Sequence, residues 1–576
     1  MTLTLDGRYR KYSLLQTTCE ADALKVKINQ GVIIGIKEIT MFNEDLYFAF
    51  YGVPYAKAPI GRLRFKNPKP LKKFNETFDA SMGYHGACAQ AHIVHKQGLY
   101  GQEDCLHLNI YTPYLPDQNY KNLKTVIVWI HGYAFTSSFS HVYGPDLLIE
   151  NDIIFISLTH RIGVFGFLKR NESDSNVNVG LKDIIIGLKW IRSNIKYFGG
   201  DKNKITLMCS GSAGTFASLL FVTKYKKLFQ KLIIQSGSMF SPSILQDFHH
   251  LERDKLNNEI KKEGYKDYTT APTNIVVMSS NKIYSSEDII NSQRPLVPFV
   301  PFIGKEYKSL VTQNDLHYYE NNENENFDMP ILTGFTTRES ISEVIPFIHN
   351  QSYLKSLGTY FKYMVPFSHD CRYDYNTKTY NAIAKKIIQR YFKKYPDITL
   401  DEFLKYSTDI HKYPIYKFMK THISHNNRKL FAYKFNYNGK FNVMKSTSLA
   451  GANIRVKGAA QGDELCYILK CEPLWEQYVK LKSDVHNRDR IFMNEIVAMW
   501  ANFAKFGNPT PINNSGNISW LPMTSKEDNL FFFGKIQNSL INSTAEAKMY
   551  TFWNNLYDDY YSKKHCNKIR ELRDEL

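Results

Sequence analysis

Long apolar runs are missing from this chain of 576 residues. The longest, Thr125 to Ile130 and Ile153 to Leu158, have the length of strands, so no helical span of a bilayer and no transmembrane anchor is expected. A Gly/Ser linker, an acidic block and a Pro-rich tract are also missing. Apolar runs instead alternate with amphipathic stretches from about Val26 to about Tyr560, which implies one large domain over residues 25–560, an N-terminal extension (1–24) and a C-terminal tail (561–576). No internal repeat is visible, which excludes solenoids and propellers. Cysteine is sparse, and eight in a chain of this length exclude a disulfide-dense scaffold.

The first residues, MTLTLDGRYRKYSLLQ, lack the apolar stretch of a secretory signal, so a cytoplasmic chain is expected. The alternative is the secretory pathway or endoplasmic reticulum, because Arg573-Asp574-Glu575-Leu576 resembles the tetrapeptides that return proteins to that compartment. Sequons beginning at Asn75, Asn171, Asn350, Asn513, Asn517 and Asn542 would suit a secreted glycoprotein, yet in a chain this rich in Asn chance supplies about as many.

Acidic residues are in deficit, leaving a formal charge of +18. Clusters such as Lys69, Lys72 and Lys73, or Lys385, Lys386, Arg390, Lys393 and Lys394, invite a nucleic-acid reading. The basic residues are mostly lysines spread along the whole chain, no nucleic-acid motif accompanies them, and the second cluster has the spacing of a solvated helix face. No nucleic-acid partner is expected.

What is present is a succession of segments: YFAFYGVPYAKAPIGRLRFKNP from Tyr47, QEDCLHLNIYTP from Gln102, VIVWIHGYAF from Val126 and HRIGVFGFL from His160. NVGLKDIIIGLKWIRSNIKYFGGDKNKITL from Asn178, LFQKLIIQSGS from Leu228, ILTGFTTRES from Ile331 and MWANFAKFGNPTP from Met499 follow in order. Together they resemble the type B carboxylesterase and cholinesterase family, with the N-terminal half most similar to insect esterases. The resemblance implies an α/β-hydrolase fold: a central, mostly parallel sheet flanked by helices, with a gorge above its carboxyl edge. Val126–Ile130 and Ile153–Leu158 read as strands covered on both faces, and Ile184 to Ile195 has helical length and period before the Gly199-Gly200 turn. The resemblance also implies ion pairs Arg64–Glu103 and Arg161–Asp183 and a disulfide between Cys88 and Cys105, all architectural.

Ester hydrolysis on such a fold needs a serine on a sharp strand-to-helix elbow, a histidine to carry its proton, an acid to orient the histidine, and amides for the oxyanion. It needs no metal or cofactor, and none is expected. The family's elbow, G-G-D-x-x-x-[V/I]-T-x-x-G-x-S-x-G, meets GGDKNKITLMCSGSAG from Gly199. Counted without a gap from Asp201, the nucleophile position is Gly211. One inserted residue would instead place it on Ser212, and the tight geometry of the elbow favours the ungapped count, as does a similar Ser-Gly in non-catalytic relatives of the neuroligin type. In GAAQGDELCYIL, which resembles the family's H-G-x-E stretch, the histidine position is Gln461, an amide that cannot shuttle a proton near neutral pH. The acid is Glu339, within TGFTTRES. The oxyanion loop reads His131-Gly132-Tyr133-Ala134-Phe135 where active members have H-G-G-G-F: its amides are retained and the Tyr133 side chain stands at the gorge wall.

The expectation is a catalytically inactive carboxylesterase homologue, a pseudoenzyme binding a small apolar ligand or a protein partner. The alternative is a working or residual carboxylic-ester hydrolase using Ser212.

Overall fold

The computed structural model describes residues 24–562, apart from 83–85, 92–97, 118–120, 139–141, 171–173, 242–249, 284–297, 305–309, 322–326, 360–364, 367–376, 425–428, 512–517, 535–537 and 543. The terminal tetrapeptide Arg573–Leu576, most of the N-terminal extension and of the C-terminal tail, and the sequons at Asn171, Asn513 and Asn517 lie outside the described residues.

Among the described residues, eleven strands form one large sheet. In chain order they are β1 (Ile36–Ile39), β2 (Leu46–Pro54), β3 (His107–Thr112), β4 (Lys124–Gly132), β5 (Ile154–Leu158), β6 (Gly200–Gly211), β7 (Lys231–Gln235), β8 (Ile331–Thr336), β9 (Leu430–Phe435), β10 (Asn529–Phe533) and β11 (Ser539–Asn542). Across the sheet the order is β11-β10-β9-β8-β7-β6-β4-β5-β3-β2-β1. All pairs from β10 to β5 are parallel, and the two edges turn antiparallel.

Side-chain alternation explains why the middle strands read as continuous apolar runs. Val126, Val128 and Ile130 of β4 face one core, shared with Ile205, Leu207 and Cys209 of β6 and with Leu181, Ile184, Leu188 and Ile191 of helix α1 (Val179–Asn194). Ile127 and Trp129, one residue out of phase, face a second core with Met208 of β6. Met493, Ile496, Val497 and Trp500 of a long C-terminal helix (Arg488–Phe506) complete it. Each strand is therefore apolar on both faces, as a parallel sheet sandwiched by helices requires. The α1 helix starts five residues before Ile184, at Val179, because Leu181 is already in the core and Asp183 is tied to Arg161. It runs into a 3₁₀ turn, Ile195–Phe198, that Gly199 closes at φ +82° before β6 begins.

A strand and a helix meet at Gly211. The last residue of β6 is Gly211, and helix α2 (Ser212–Phe221) starts at the next residue. The helix seats close to the end of β7 because Gly214 of the helix and Gly237 just after the strand have no side chains. A Cβ on Gly214 would lie 2.9 Å from Ile234 Cγ2 and 3.0 Å from Gly237 Cα, and one on Gly237 would run into the Gly211 carbonyl oxygen.

Candidate active site

The elbow residue has φ +59° and ψ −130°, a conformation that an L side chain adopts only under strain and glycine adopts freely. That residue is Gly211. A Cβ built on it would stand 3.2 Å from the Gly132 carbonyl oxygen and 3.9 Å from Gln461 Oε1. The turn thus aims residue 211 at the side chain of residue 461.

Gln461 reaches this place through a strap between two loops. The backbone N–H of Arg338 donates to Ala459 O at 2.9 Å, and that of Ala459 to Thr337 Oγ1 at 3.0 Å. The strap brings Glu339, which follows β8, beside Gln461. Gln461 Nε2 donates to Glu339 Oε2 at 3.1 Å and to the Ser236 carbonyl oxygen at 3.3 Å. Glu339 is fully buried; its Oε1 accepts from Ser236 Oγ at 2.8 Å and from the Thr336 backbone N–H. Burial raises the Glu339 carboxyl above its usual range, and those hydrogen bonds pull back only part of the shift.

Two carboxyls follow Gln461 in sequence. Asp463 Oδ2 accepts from the Ala460 N–H at 2.7 Å and from Asn442 Nδ2 at 3.1 Å, while burial pushes its carboxyl up to about 6. Glu464 Oε1 accepts from Tyr433 Oη at 3.1 Å and Gln235 Nε2 at 3.3 Å. Burial, then the neighbouring Glu339, push Glu464 up to about 8. The Glu464 partners come from β9 and β7, outside GAAQGDEL, so that segment alone carries no signal of them.

The loop after β4 engages two of its amides. The Tyr133 N–H donates to Ser137 O at 2.8 Å, while the Thr136 and Ser137 N–H groups return to Tyr133 O at 3.1 and 3.2 Å. The Phe135 N–H donates to Ser212 Oγ at 3.0 Å. The loop folds into a turn, with Ala134 and Phe135 at φ +49° and +59°, that spends the Tyr133 amide on Ser137 and the Phe135 amide on Ser212 of α2. Gly132 lies beneath this turn, next to Ser212 and Ala213. The Tyr133 ring is half-buried, and burial followed by the Glu343 charge raises its phenol above the usual range. Ser212 is buried in the first turn of α2, its oxygen engaged by the loop.

The framework residues hold this assembly from outside. Arg161 makes a bidentate pair with Asp183, Nε–Oδ2 at 2.8 Å and Nη2–Oδ1 at 2.7 Å, and spends a third donor on Lys66 O at 2.8 Å. Arg64 pairs likewise with Glu103 at 2.8 and 2.5 Å. Cys88 and Cys105 are joined. So are Cys466 and Cys471, a pairing the sequence reading missed although the two lie five residues apart in the segment that follows Gln461. Among the described residues, no group of three or more His, Cys, Asp or Glu is placed to hold a metal ion, and no helix is long and apolar enough to cross a membrane.

A match to the model of the carboxylesterase family runs from residue 22 to residue 553. The chain belongs to the carboxylesterase family. Among carboxylesterases it is similar to esterase FE4 of Myzus persicae, 28% identical over 547 residues and covering 92% of either chain. It is also similar to juvenile hormone esterase of Tribolium castaneum, 25% identical over 525 residues, 85% of this chain and 84% of that one. The crystal structure of juvenile hormone esterase from Manduca sexta with OTFP covalently attached matches with a TM-score of 0.77 at 22% identity, covering 93% of this chain and 100% of that one. That likeness shows a shared α/β-hydrolase fold: a large mixed, mostly parallel sheet flanked by helices.

Proposed function

We propose that this carboxylesterase-family chain does not hydrolyse esters and instead binds a small apolar ligand over Gly211, at the carboxyl end of β6. The observation that carries the reading is the elbow: the residue with φ +59° and ψ −130°, aimed at Gln461, is a glycine with no nucleophile to offer. In this reading Gly211 stands at the nucleophile position, Gln461 at the histidine position and Glu339 at the acid position. Gln461 donates to Glu339 as an orienting imidazole would, but an amide neither takes nor returns a proton. The Tyr133 amide, spent on Ser137 O, adds a further deficit.

Losing the nucleophile or the base of a serine triad alone costs roughly 10⁶-fold in turnover in subtilisin, and further losses add little. Hydrolysis through Ser212 is disfavoured by its place: its oxygen accepts the Phe135 amide from within the first turn of α2. The test is exposure of the purified chain to a fluorophosphonate probe, beside an active esterase, with adducts mapped by mass spectrometry. No adduct is expected. An adduct on Ser212, together with aryl-ester hydrolysis lost in Ser212→Ala, would establish a working hydrolase in its place.

A further inference from the structure

We infer that the site over Gly211 selects a hydrogen-bond donor, so that the ligand is an apolar molecule ending in a hydroxyl group and not in an ester. This rests on the non-hydrolysing reading above. The Gln461 amide is oriented by its neighbours: Nε2 faces the Ser236 carbonyl oxygen at 3.3 Å and Glu339 Oε2 at 3.1 Å. A carbonyl oxygen only accepts, so the flipped amide would set oxygen against oxygen at Ser236. Oε1 therefore points away from both, toward the space above Gly211, 3.9 Å from where a Cβ on that glycine would stand. Among the described residues no hydrogen bond reaches this oxygen.

In a complete triad, the group at this position accepts the proton of the serine hydroxyl. Here an acceptor remains and the hydroxyl it would face is missing, leaving a place shaped for a hydroxyl supplied from outside.

The opposite wall offers a carbonyl one donor fewer. An ester carbonyl is held by donors, and the Tyr133 amide is committed to Ser137 O. An ester or ether oxygen also leaves Gln461 Oε1 without a partner once water is displaced, a penalty a hydroxyl avoids by donating.

The experiment titrates the full chain, by calorimetry, with octan-1-ol, its methyl ether and octyl acetate, and repeats the series with Gln461→Met. The alcohol is expected to bind about tenfold more tightly than the ether and the acetate. In Gln461→Met the three should bind alike, with the ether bound more tightly than by the unsubstituted chain because no acceptor is left unpaired, and that binding also certifies that the variant is folded. The inference is overturned if the ether or the intact acetate binds as tightly as the alcohol, if Gln461→Met keeps the preference, or if none of the three binds. Octanol released from the acetate above the buffer rate overturns the non-hydrolysing reading itself, and product formation distinguishes that failure from the others.

Discussion

The backbone N–H of Phe135 donates to the hydroxyl oxygen of Ser212 at 3.0 Å, tying the loop after β4 to the first residue of α2. Both groups are buried. Ser212→Ala would leave the Phe135 amide without an acceptor, a loss of about 1–3 kcal/mol in stability. The expected result is a lower urea midpoint at unchanged slope, with ester turnover at the buffer level before and after the substitution. An unchanged midpoint would show that this hydrogen bond contributes nothing.

Restoring the two missing side chains together, as Gly211→Ser with Gln461→His, tests whether the closed loop is a separate deficit. A single oxyanion donor is worth about 10²–10³-fold in turnover. The double variant should therefore label with a fluorophosphonate yet hydrolyse an aryl ester at least about 10²-fold more slowly than an active relative. Turnover equal to that relative would mean that the Tyr133 and Phe135 amides open as soon as there is an oxyanion to hold.

Arg161 and Asp183 form a buried, bidentate pair, with side-chain exposures of 3% and 0%. Removing one partner leaves the other charge buried and uncompensated, so Arg161→Met should cost about 3–5 kcal/mol. The double variant Arg161→Met/Asp183→Leu should be less destabilised than the sum of the two single variants, a coupling that denaturant titration of all four proteins measures directly. Simple additivity would mean that the pair gains nothing from being a pair.

Stability should fall as pH rises toward 8, and Glu464 is a source of that fall. Its carboxyl goes from the usual 4.5 to about 8 in the folded chain, so the fold holds a proton that the unfolded chain has lost. The contribution is fully present below the unfolded value and is lost as pH climbs through the folded one. Asp463 acts in the same direction up to about 6. Glu464→Gln keeps an oxygen to accept from Tyr433 and Gln235, and should flatten the decline in Tm between about pH 5 and about pH 8. An equally steep decline in the variant would place its origin elsewhere.

The strands were legible because local pattern determines them. Val126 to Ile130 and Ile154 to Leu158 are mostly β-branched or aromatic, and strands of that kind fit between two layers of helices. The ungapped count from Asp201 puts Gly211 at the turn, the residue that has the positive φ. Less was visible where partners converge from afar or where a loop closes on itself. Nothing in His131–Phe135 announces that Tyr133 would spend its amide on Ser137, a choice made by loop geometry and by the helix under it. The proton on Glu464 depends on burial among Tyr433, Gln235 and Glu339, which no short window of sequence reports. The start of α1 at Val179 escaped because Gly180 and the ion-paired Asp183 interrupt the apolar period there.

The dihedral pair at Gly211 also says something about durability. A serine held at such a turn stores about 1–3 kcal/mol of backbone strain, tolerated in a hydrolase because catalysis depends on it. Glycine holds the same turn without that strain, at the cost of a more flexible unfolded chain. In the non-hydrolysing reading the elbow does not oblige the protein to trade stability against activity, and its neighbourhood is open to mutations that an active esterase would have to reject.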